Sequence, residues 1–323
     1  MKISVIGAGG WGTTLANLLS EKNEVSLWVR EKELIDVLQK ERENKWFLPG
    51  VKLSPNLKFS DDVKVVDGAE AVVFAVPAQF MRATANKFSK HINKESIIVT
   101  VSKGIELSSY KRMDQVLEEE LENEDIVALS GPNHCEEVSR KMPSATVVAS
   151  HNPDALDRLK EAFSTGYFMV FPHDDIVGVE ICGAIKNITA IASGVVDGLK
   201  LGDSSKASVI TYGLTEMNKF GRFFGAKRKT IYGLAGVGDL IATCTSKHSR
   251  NRFVGEKIAE GKAFEEIKEE MKGMVAEGVM TTKAVHEFAV KNGIDMPLTA
   301  LVYIFLFLKK ELKKAIKDLI YLV

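Results

Sequence analysis

The 323-residue chain carries 43 Lys and Arg against 43 Asp and Glu, so no global charge excess draws it to nucleic acid or an anionic membrane, and an anionic ligand has to be held by a local cluster. Its length suits about two domains, each long enough to bury its own core. Cys135, Cys182 and Cys244 are too few and too widely spaced for a disulfide framework or a C-x-x-C pair, which points to a reducing compartment and a cytoplasmic protein. The apolar run from Ala300 to Leu308 is broken by Lys309-Lys310 and falls short of the roughly 20 residues that span a bilayer. It reads as a buried helix, and no integral membrane association is expected.

The chain opens on a β-branched run that stops at Gly7, and an apolar helical run begins just after. The pattern G-x-G-x-x-G falls on this seam at Gly7, Gly9 and Gly12. There the first glycine permits a tight turn, the second lets backbone approach a pyrophosphate, and the third lets the helix pack close on the strand. The helix N-terminus then offers N–H donors and a positive dipole end to phosphates. Residues 25–29 read as a second strand ending at Arg30, about 20 residues beyond the glycines, where an acid suits the ribose 2′-OH of NAD and an Arg suits a 2′-phosphate. Arg30, with Lys32 nearby, favours NADP(H) slightly over NAD(H), although Glu31 beside it acts the other way.

Residues 31–43 have helical spacing, and an irregular stretch runs from Lys45 to Pro55. Residues 71–76 form a continuous apolar run of strand length ended by Pro77, the mark of a central parallel strand. Residues 97–101, 125–129, 145–149 and 168–170 repeat the theme, with helical segments at 79–90, 110–123 and 154–163 between them. The alternation predicts an α/β fold, a Rossmann-type doubly wound, mostly parallel sheet. Ligands gather at the carboxyl ends of such strands, and Gly7, Arg30, Pro77, Lys103 and Gly131 all fall at predicted ends. From about Asp174 the β runs disappear, and helical spacing continues at 176–198, 204–224, 233–245, 250–260, 280–291 and 296–319. This predicts a dinucleotide-binding domain over 1–175 and an all-helical substrate and catalytic domain over 176–323.

A dinucleotide fold alone names no reaction. Hydride delivery to a carbonyl needs a proton donor for the oxygen, and three clusters offer the parts. Lys103 follows a strand in Val101-Ser102-Lys103-Gly104. Lys186 and Asn187 interrupt an otherwise apolar, small-residue helix, where burial lowers a lysine pKa. Asp239 and Thr243, four apart after Gly236 and Gly238, share a helix face, and Ser249-Arg250-Asn251 supplies a planar fork for phosphate. Bland readings stand beside these: a solvated strand-end charge for Lys103 and Arg30, a helix N-cap for Asp239, a surface charge for Arg250, and a solvated turn for the basic run Lys227-Arg228-Lys229. His134-Cys135 and Cys244 with His248 lack a further Cys or His at ligand spacing, so no metal site is expected.

Taken in order, Gly7-Ala8-Gly9-Gly10-Trp11-Gly12-Thr13, Ala75-Val76-Pro77, Ser102-Lys103-Gly104-Ile105-Glu106, Ser130-Gly131-Pro132, Gly183-Ala184-Ile185-Lys186-Asn187, Gly238-Asp239-Leu240-Ile241-Ala242-Thr243-Cys244, Ser249-Arg250-Asn251 and Glu277-Gly278-Val279 resemble the bacterial-type NAD(P)-dependent sn-glycerol-3-phosphate dehydrogenases. The resemblance implies interconversion of glycerol 3-phosphate and dihydroxyacetone phosphate, in the service of phospholipid synthesis. It implies Lys186 as the catalytic acid/base, with Lys103 and Asp239 beside it. Lys103, Gly131, Asn133, Lys186, Asp239, Ser249, Arg250 and Asn251 are implied to form the substrate site. Gly7, Gly9, Gly10, Trp11, Gly12, Arg30, Lys103, Cys135, Arg250, Val275 and Glu277 are implied to line the cofactor. Cys135 stands where the family commonly has alanine, and Asn133 where Ser or Thr is common. The last twenty residues match poorly, and a homodimer is the family habit. Two other readings stay open: a different lysine-dependent β-hydroxyacid-type dehydrogenase, and a non-catalytic dinucleotide sensor. Arg250 and Asn251 favour a phosphate ester over the first; a lysine among small apolar residues favours an enzyme over the second.

Overall fold

The structure, a computed structural model, describes residues 1–123, 125–271, 273–308, 318 and 321. It comprises two compact units, Met1–Ser102 with Met113–Ile176, and Lys103–Arg112 with Val177–Val323. The first is built on strands β1 (Lys2–Ile6), β2 (Glu24–Trp28), β3 (Glu43–Asn44), β4 (Leu48–Lys52), β5 (Lys58–Ser60), β6 (Ala71–Phe74), β7 (Ile97–Thr100), β8 (Ile126–Ser130), β9 (Ser144–Ala149) and β10 (Phe168–His173). Eight of them form one sheet in the order β10-β9-β8-β7-β6-β1-β2-β5, with β3 and β4 paired apart. Helices α1 (Gly10–Leu19), α2 (Lys32–Glu41), α3 (Met81–Phe88), α4 (Met113–Leu121), α5 (Cys135–Val138) and α6 (Pro153–Phe163) complete this unit.

All four residues of β6 are buried, as a strand covered on both faces requires. Its neighbours β1 and β7 run parallel to it, with Val5 opposite Val73 and Val73 opposite Val99. Parallel pairing extends from β5 through β8; between β8 and β9 it reverses, and β10 then runs parallel to β9. The ends of β1, β2, β6, β7 and β8, after which Gly7, Arg30, Pro77, Lys103 and Gly131 follow, therefore share one rim of the sheet. β4 falls inside the stretch expected to be irregular and pairs with β3 just ahead of it. Pro49 and Gly50 interrupt its alternation, and Gly50 takes φ +79°, so the strand pattern is hidden in the letters. β5 was not expected either, since three residues at a sheet edge carry little periodic signal.

The second unit holds α7 (Ile176–Gly198), α8 (Asp203–Phe223), α9 (Arg228–Ile231), α10 (Asp239–Thr245), α11 (Arg250–Ala259), α12 (Phe264–Glu270), α13 (Glu277–Asn292) and α14 (Pro297–Phe307). The helix expected to reach 319 ends at Phe307 with Leu308 as its C-cap, and of the residues beyond, all but Asp318 of the expected span lie outside the described residues. Apolar on nearly every side, α7 supplies Ile181, Ile185, Ile188 and Val195 to a core shared with Met217, Phe220, Leu240, Val254, Val285 and Leu298. It is long and apolar enough to cross a membrane, yet 94% of its apolar window is buried inside the protein, as in a core helix. Ile105 joins this core and the Tyr110 hydroxyl donates to Glu287 at 3.2 Å, which explains why Lys103–Arg112 belongs with the helices. α7 and α11 cross with backbone almost touching: a Cβ on Gly194 would lie 1.9 Å from the Arg252 carbonyl oxygen, and one on Gly255 1.9 Å from that of Ile191.

The start of α14 has no side-chain cap of its own. Glu216, buried on α8, takes that place by accepting from the Leu298 and Thr299 backbone N–H groups at 2.6 and 3.1 Å and from the Thr299 hydroxyl at 2.6 Å. Burial pushes its carboxyl up to about 7 against the pull of these donors. The folded state then holds the Glu216 proton more tightly than the unfolded chain, so the stability this group confers is full below the ordinary carboxyl range and is lost as pH rises through about 7. Chemical denaturation of wild type and Glu216→Gln from about pH 5 to 8 is expected to show the wild type's relative stability falling with pH; a constant difference would exclude this linkage.

Candidate active site

In the first unit the three glycines divide their roles by packing. Gly7 takes φ +111°, and a Cβ there would meet the Ala75 carbonyl oxygen at 2.6 Å. One on Gly12 would lie 2.0 Å from the Gly7 carbonyl oxygen, whereas nothing lies within 4 Å of one on Gly9. The chain's own packing therefore demands glycine at 7 and 12, while the space beside Gly9 is open. α1 starts at Gly10 with no side-chain cap and no acid in its first turn, leaving a helix N-terminus receptive to an anion. The residues present fit the pyrophosphate of a dinucleotide.

Asn44, which the sequence reading missed, ties this loop down. It is fully buried and donates to the Ala8 carbonyl at 2.9 Å and to the Thr13 hydroxyl oxygen at 2.8 Å. Trp11 packs with Leu48, Val51 and Cys135 and lies 6.4 Å from the Phe168 ring, so Cys135 sits buried in an apolar cluster. Arg30 is exposed, and its guanidinium pairs with the Glu31 carboxylate, Nε at 2.8 Å. Lys32 stands 3.6 Å from Asp61. Both cations at this strand end thus have acidic partners that a 2′-phosphate has to displace. Gly131 packs against β9, where a Cβ would lie 2.9 Å from Thr146 Cα. Asn133 donates to Ser144 Oγ at 2.7 Å and to the Ala145 carbonyl at 2.9 Å; its own Oδ1 is buried without a partner among the described residues.

In the second unit three sequence-distant side chains meet. A π-helical turn, Leu234–Gly238, precedes α10, where the sequence suggested one continuous helix. A Cβ on Gly236 would lie 1.9 Å from the Ile231 carbonyl oxygen, so glycine permits this winding. The turn delivers Asp239 as the first residue of α10, buried to 1% exposure. The Lys186 ammonium donates to Asp239 Oδ1 at 2.5 Å and to Thr243 Oγ1 at 2.8 Å, and the Lys103 ammonium donates to Asp239 Oδ2 at 2.7 Å. The Thr243 hydroxyl donates onward to the Asp239 carbonyl at 2.6 Å. Two ammonium groups converge on this one carboxylate, a concentration of positive charge that suits an anionic or developing oxyanion ligand.

Burial lowers Lys186 to about 8; Asp239 opposes the drop and the Lys103 ammonium adds to it. Burial pushes the Asp239 carboxyl up, but the two ammonium groups together hold it below the ordinary carboxylate range. Lys186 is nearly enclosed, its side chain 7% exposed, while that of Lys103 is 17% exposed.

A chain of amides carries this cluster. The Gly278 N–H donates to Asn251 Oδ1 at 2.9 Å, Asn251 Nδ2 donates to Asn187 Oδ1 at 2.9 Å, and Asn187 Nδ2 donates to the Lys103 and Gly183 carbonyls at 3.3 and 3.2 Å. Asn251, expected to touch substrate, thus spends its amide on α7 and α13. Ser249 caps α11 by accepting from the Arg252 N–H at 3.2 Å. Arg250, half-buried at the first position of α11, has no polar partner among the described residues. Val275 is exposed ahead of α13, and Glu277 is that helix's first residue. Asn187 was singled out with Lys186 by its place in an apolar helix, although no role was assigned to it; Asn44 carried no such signal. Among the described residues no group of three or more His, Cys, Asp or Glu is placed to hold a metal ion.

Comparison with known proteins gives the chain relatives along nearly its whole length. Two family models match it, the NAD-dependent glycerol-3-phosphate dehydrogenase N-terminus over residues 2–156 and the C-terminus of the same family over 175–317. A glycerol-3-phosphate dehydrogenase [NAD(P)+] of Chlorobium phaeobacteroides (strain BS1) is 46% identical over 324 residues, covering 99% of this chain and 97% of that protein. One from Clostridium botulinum (strain Alaska E43 / Type E3) is 43% identical, covering 98% and 96%. The crystal structure of glycerol-3-phosphate dehydrogenase from Coxiella burnetii superposes with a TM-score of 0.95 at 36% identity, covering 99% of this chain and 98% of that one.

The glycine loop yields a direct contrast. Gly9→Ala is expected to leave the melting temperature unchanged and to weaken dinucleotide binding about tenfold or more, because only a ligand is crowded. Gly12→Ala is expected to lower the melting temperature by several degrees, at about 1–3 kcal/mol for overpacking. Thermal melts and nucleotide titrations of the two variants read the difference, and equal melts with equal binding would refute it.

Proposed function

The chain belongs to the NAD-dependent glycerol-3-phosphate dehydrogenase family, and from that premise we propose that its second unit carries the proton chemistry for interconverting sn-glycerol 3-phosphate and dihydroxyacetone phosphate with NAD(P)(H). The observation that carries this reading is the meeting of Lys103 and Lys186 on the two oxygens of buried Asp239. When bound, the dinucleotide supplies or takes the hydride; Gly7, Gly9, Gly12 and the α1 N-terminus hold its pyrophosphate.

Reduction of the ketone builds negative charge on its oxygen. Lys186, as an ammonium, stabilises that charge and gives up its proton; in the reverse direction the neutral amine takes the proton from the alcohol. A pKa near 8 suits both tasks. Asp239 holds the two amines in place, and Lys103, the more open of the pair, adds a second positive group for the anionic substrate. Arg250, whose guanidinium has no polar partner among the described residues, anchors the phosphate, spending remote binding on orientation of the reacting carbon. Ser249 and Asn251 serve this anchor by setting the first turn of α11. Substrate roles for Gly131 and Asn133, and cofactor contacts by Trp11, Cys135, Lys103, Arg250, Val275 and Glu277, rest on the family resemblance alone. Both NADH and NADPH are accepted: Arg30 can receive a 2′-phosphate, and its pairing with Glu31 keeps the NADPH preference small. The three free, buried cysteines support a cytoplasmic location, and a homodimer supplying glycerol 3-phosphate for phospholipid synthesis is the family expectation.

The test is loss of reduced-nicotinamide absorbance on adding dihydroxyacetone phosphate, run with NADH and with NADPH. No consumption with either overturns the substrate assignment. Lys186→Ala is expected to retain nucleotide binding while turnover falls about 10²–10⁴-fold. For wild type, kcat/KM for ketone reduction is expected to fall as pH rises through about 8, and that for alcohol oxidation to rise over the same window. Profiles with the same sign in both directions would remove Lys186 from the proton-transfer role.

A further inference from the structure

Two arginines stand at the start of α11, and the structure treats them in opposite ways. Arg250 has no polar partner among the described residues. Arg252 donates from Nε to Asp197 Oδ2 at 2.5 Å and from a terminal nitrogen to Glu256 Oε1 at 2.6 Å. The other oxygen of Asp197 takes the Lys206 ammonium at 2.5 Å. Asp197 lies in the last turn of α7 and Lys206 in the first turn of α8, so one carboxylate fastens three helices. The four side chains are mostly enclosed: Lys206 and Asp197 are each 18% exposed, Arg252 16% and Glu256 28%.

Around this network the backbone leaves no slack. Gly194 and Gly255 put α11 against α7 at separations that no side chain permits, and a Cβ on Gly198 would lie 2.6 Å from Ala259 Cβ and 2.8 Å from the Glu256 carbonyl oxygen. Glycines fix the distance between the helices but not the sliding or rotation of α11 about its axis. The bonds from Asp197 to Arg252 and from Asn187 to Asn251 supply that restraint at successive residues on either side of the 251–252 peptide. They set the backbone of Arg250, one residue earlier, while its guanidinium has no polar partner among the described residues.

We propose that Asp197, with Arg252 and Lys206, is a positioning group for Arg250: it touches no substrate and acts on the reaction by setting the rotation of α11 that presents Arg250 to the substrate phosphate. The proposal rests on the phosphate-anchor role given to Arg250 above. A carboxylate is needed because both partners are cations, and its two oxygens let it restrain two helices against the third.

The experiment is a double-mutant cycle in kcat/KM for dihydroxyacetone phosphate, using Asp197→Asn, Arg250→Ala and both together. Arg250→Ala is expected to lose about 10²–10³-fold and Asp197→Asn about tenfold, with nucleotide affinity unchanged in each. If Asp197 acts through Arg250, the double variant matches Arg250→Ala within about twofold. Losses that multiply in the double variant would overturn the proposal, as would wild-type kcat/KM for Asp197→Asn. A normal Arg250→Ala enzyme would sink the phosphate-anchor reading itself, a result distinct from multiplying losses. Where Asp197→Asn does not fold, Arg252→Lys takes its place: its single charge cannot reach Asp197 and Glu256 in the same forked geometry, and the same coupling with Arg250→Ala is expected.

Discussion

Everything in the second unit that bears on chemistry depends on one buried carboxylate. Asp239 faces two ammonium groups, one on each carboxylate oxygen. Without it the enclosed site would hold two like charges, at a cost on the order of 3–5 kcal/mol for an unpaired buried charge. With it, Lys186 stays charge-paired in a buried site where desolvation lowers its pKa to about 8, and Thr243 accepts a second hydrogen bond from it. The π-helical turn before α10 is the backbone cost of this arrangement, since it aims the first residue of a helix at two amines from other segments. The Asp197 network uses a carboxylate between two cations again, here a lysine and an arginine on two other helices.

Both units solve their closest contacts with glycine, for different ends. In the first, Gly12 lets α1 meet the turn that carries Gly7, and Gly9 stays clear so that a ligand can approach backbone. In the second, Gly194 and Gly255 let two helices cross at backbone contact, and Gly278 packs on the Asn187 carbonyl at 2.7 Å from where a Cβ would stand. Once side chains are excluded from such seams, polar groups at their borders decide rotation and register. That is why the amide chain from Gly278 to Lys103 and the Asp197 network flank the same crossing.

What could be read from the letters divides by range. Gly7, Gly9 and Gly12 were legible because each answers a local backbone demand, and α7 was legible because it is long and mostly apolar, with few polar residues besides Glu180, Lys186, Asn187 and Asp197. β5, α5, α9 and α12 were not, because so few residues set no period. Lys186 stood out by its apolar surroundings, yet nothing in its spacing placed Asp239, 53 residues away, within hydrogen-bond reach. Asn251 stood out in sequence only as a neighbour of Arg250; its bonds to Asn187 and Gly278, which make it a strut between helices, are set by partners distant in the chain. Likewise Arg250 and Arg252 are the same residue type two positions apart, and which is committed depends on a carboxylate contributed by another helix.

The reversal between β8 and β9 gives the sheet two rims of unequal freedom. Because β9 runs against β8, its carboxyl end returns to the beginning of that strand, where Ser150 donates to the Ile126 carbonyl at 2.9 Å and Asn152 to Asp125 at 2.9 Å. The turn at 150–152 therefore hangs from the far rim, a full strand length from the glycine loop. Extra residues, a fused reporter or a surface-attachment handle grafted there would sit away from the rim that carries the glycine loop. The same graft in the connection after β8 would land beside Gly131, among the backbone that the ligand-bearing rim is made of.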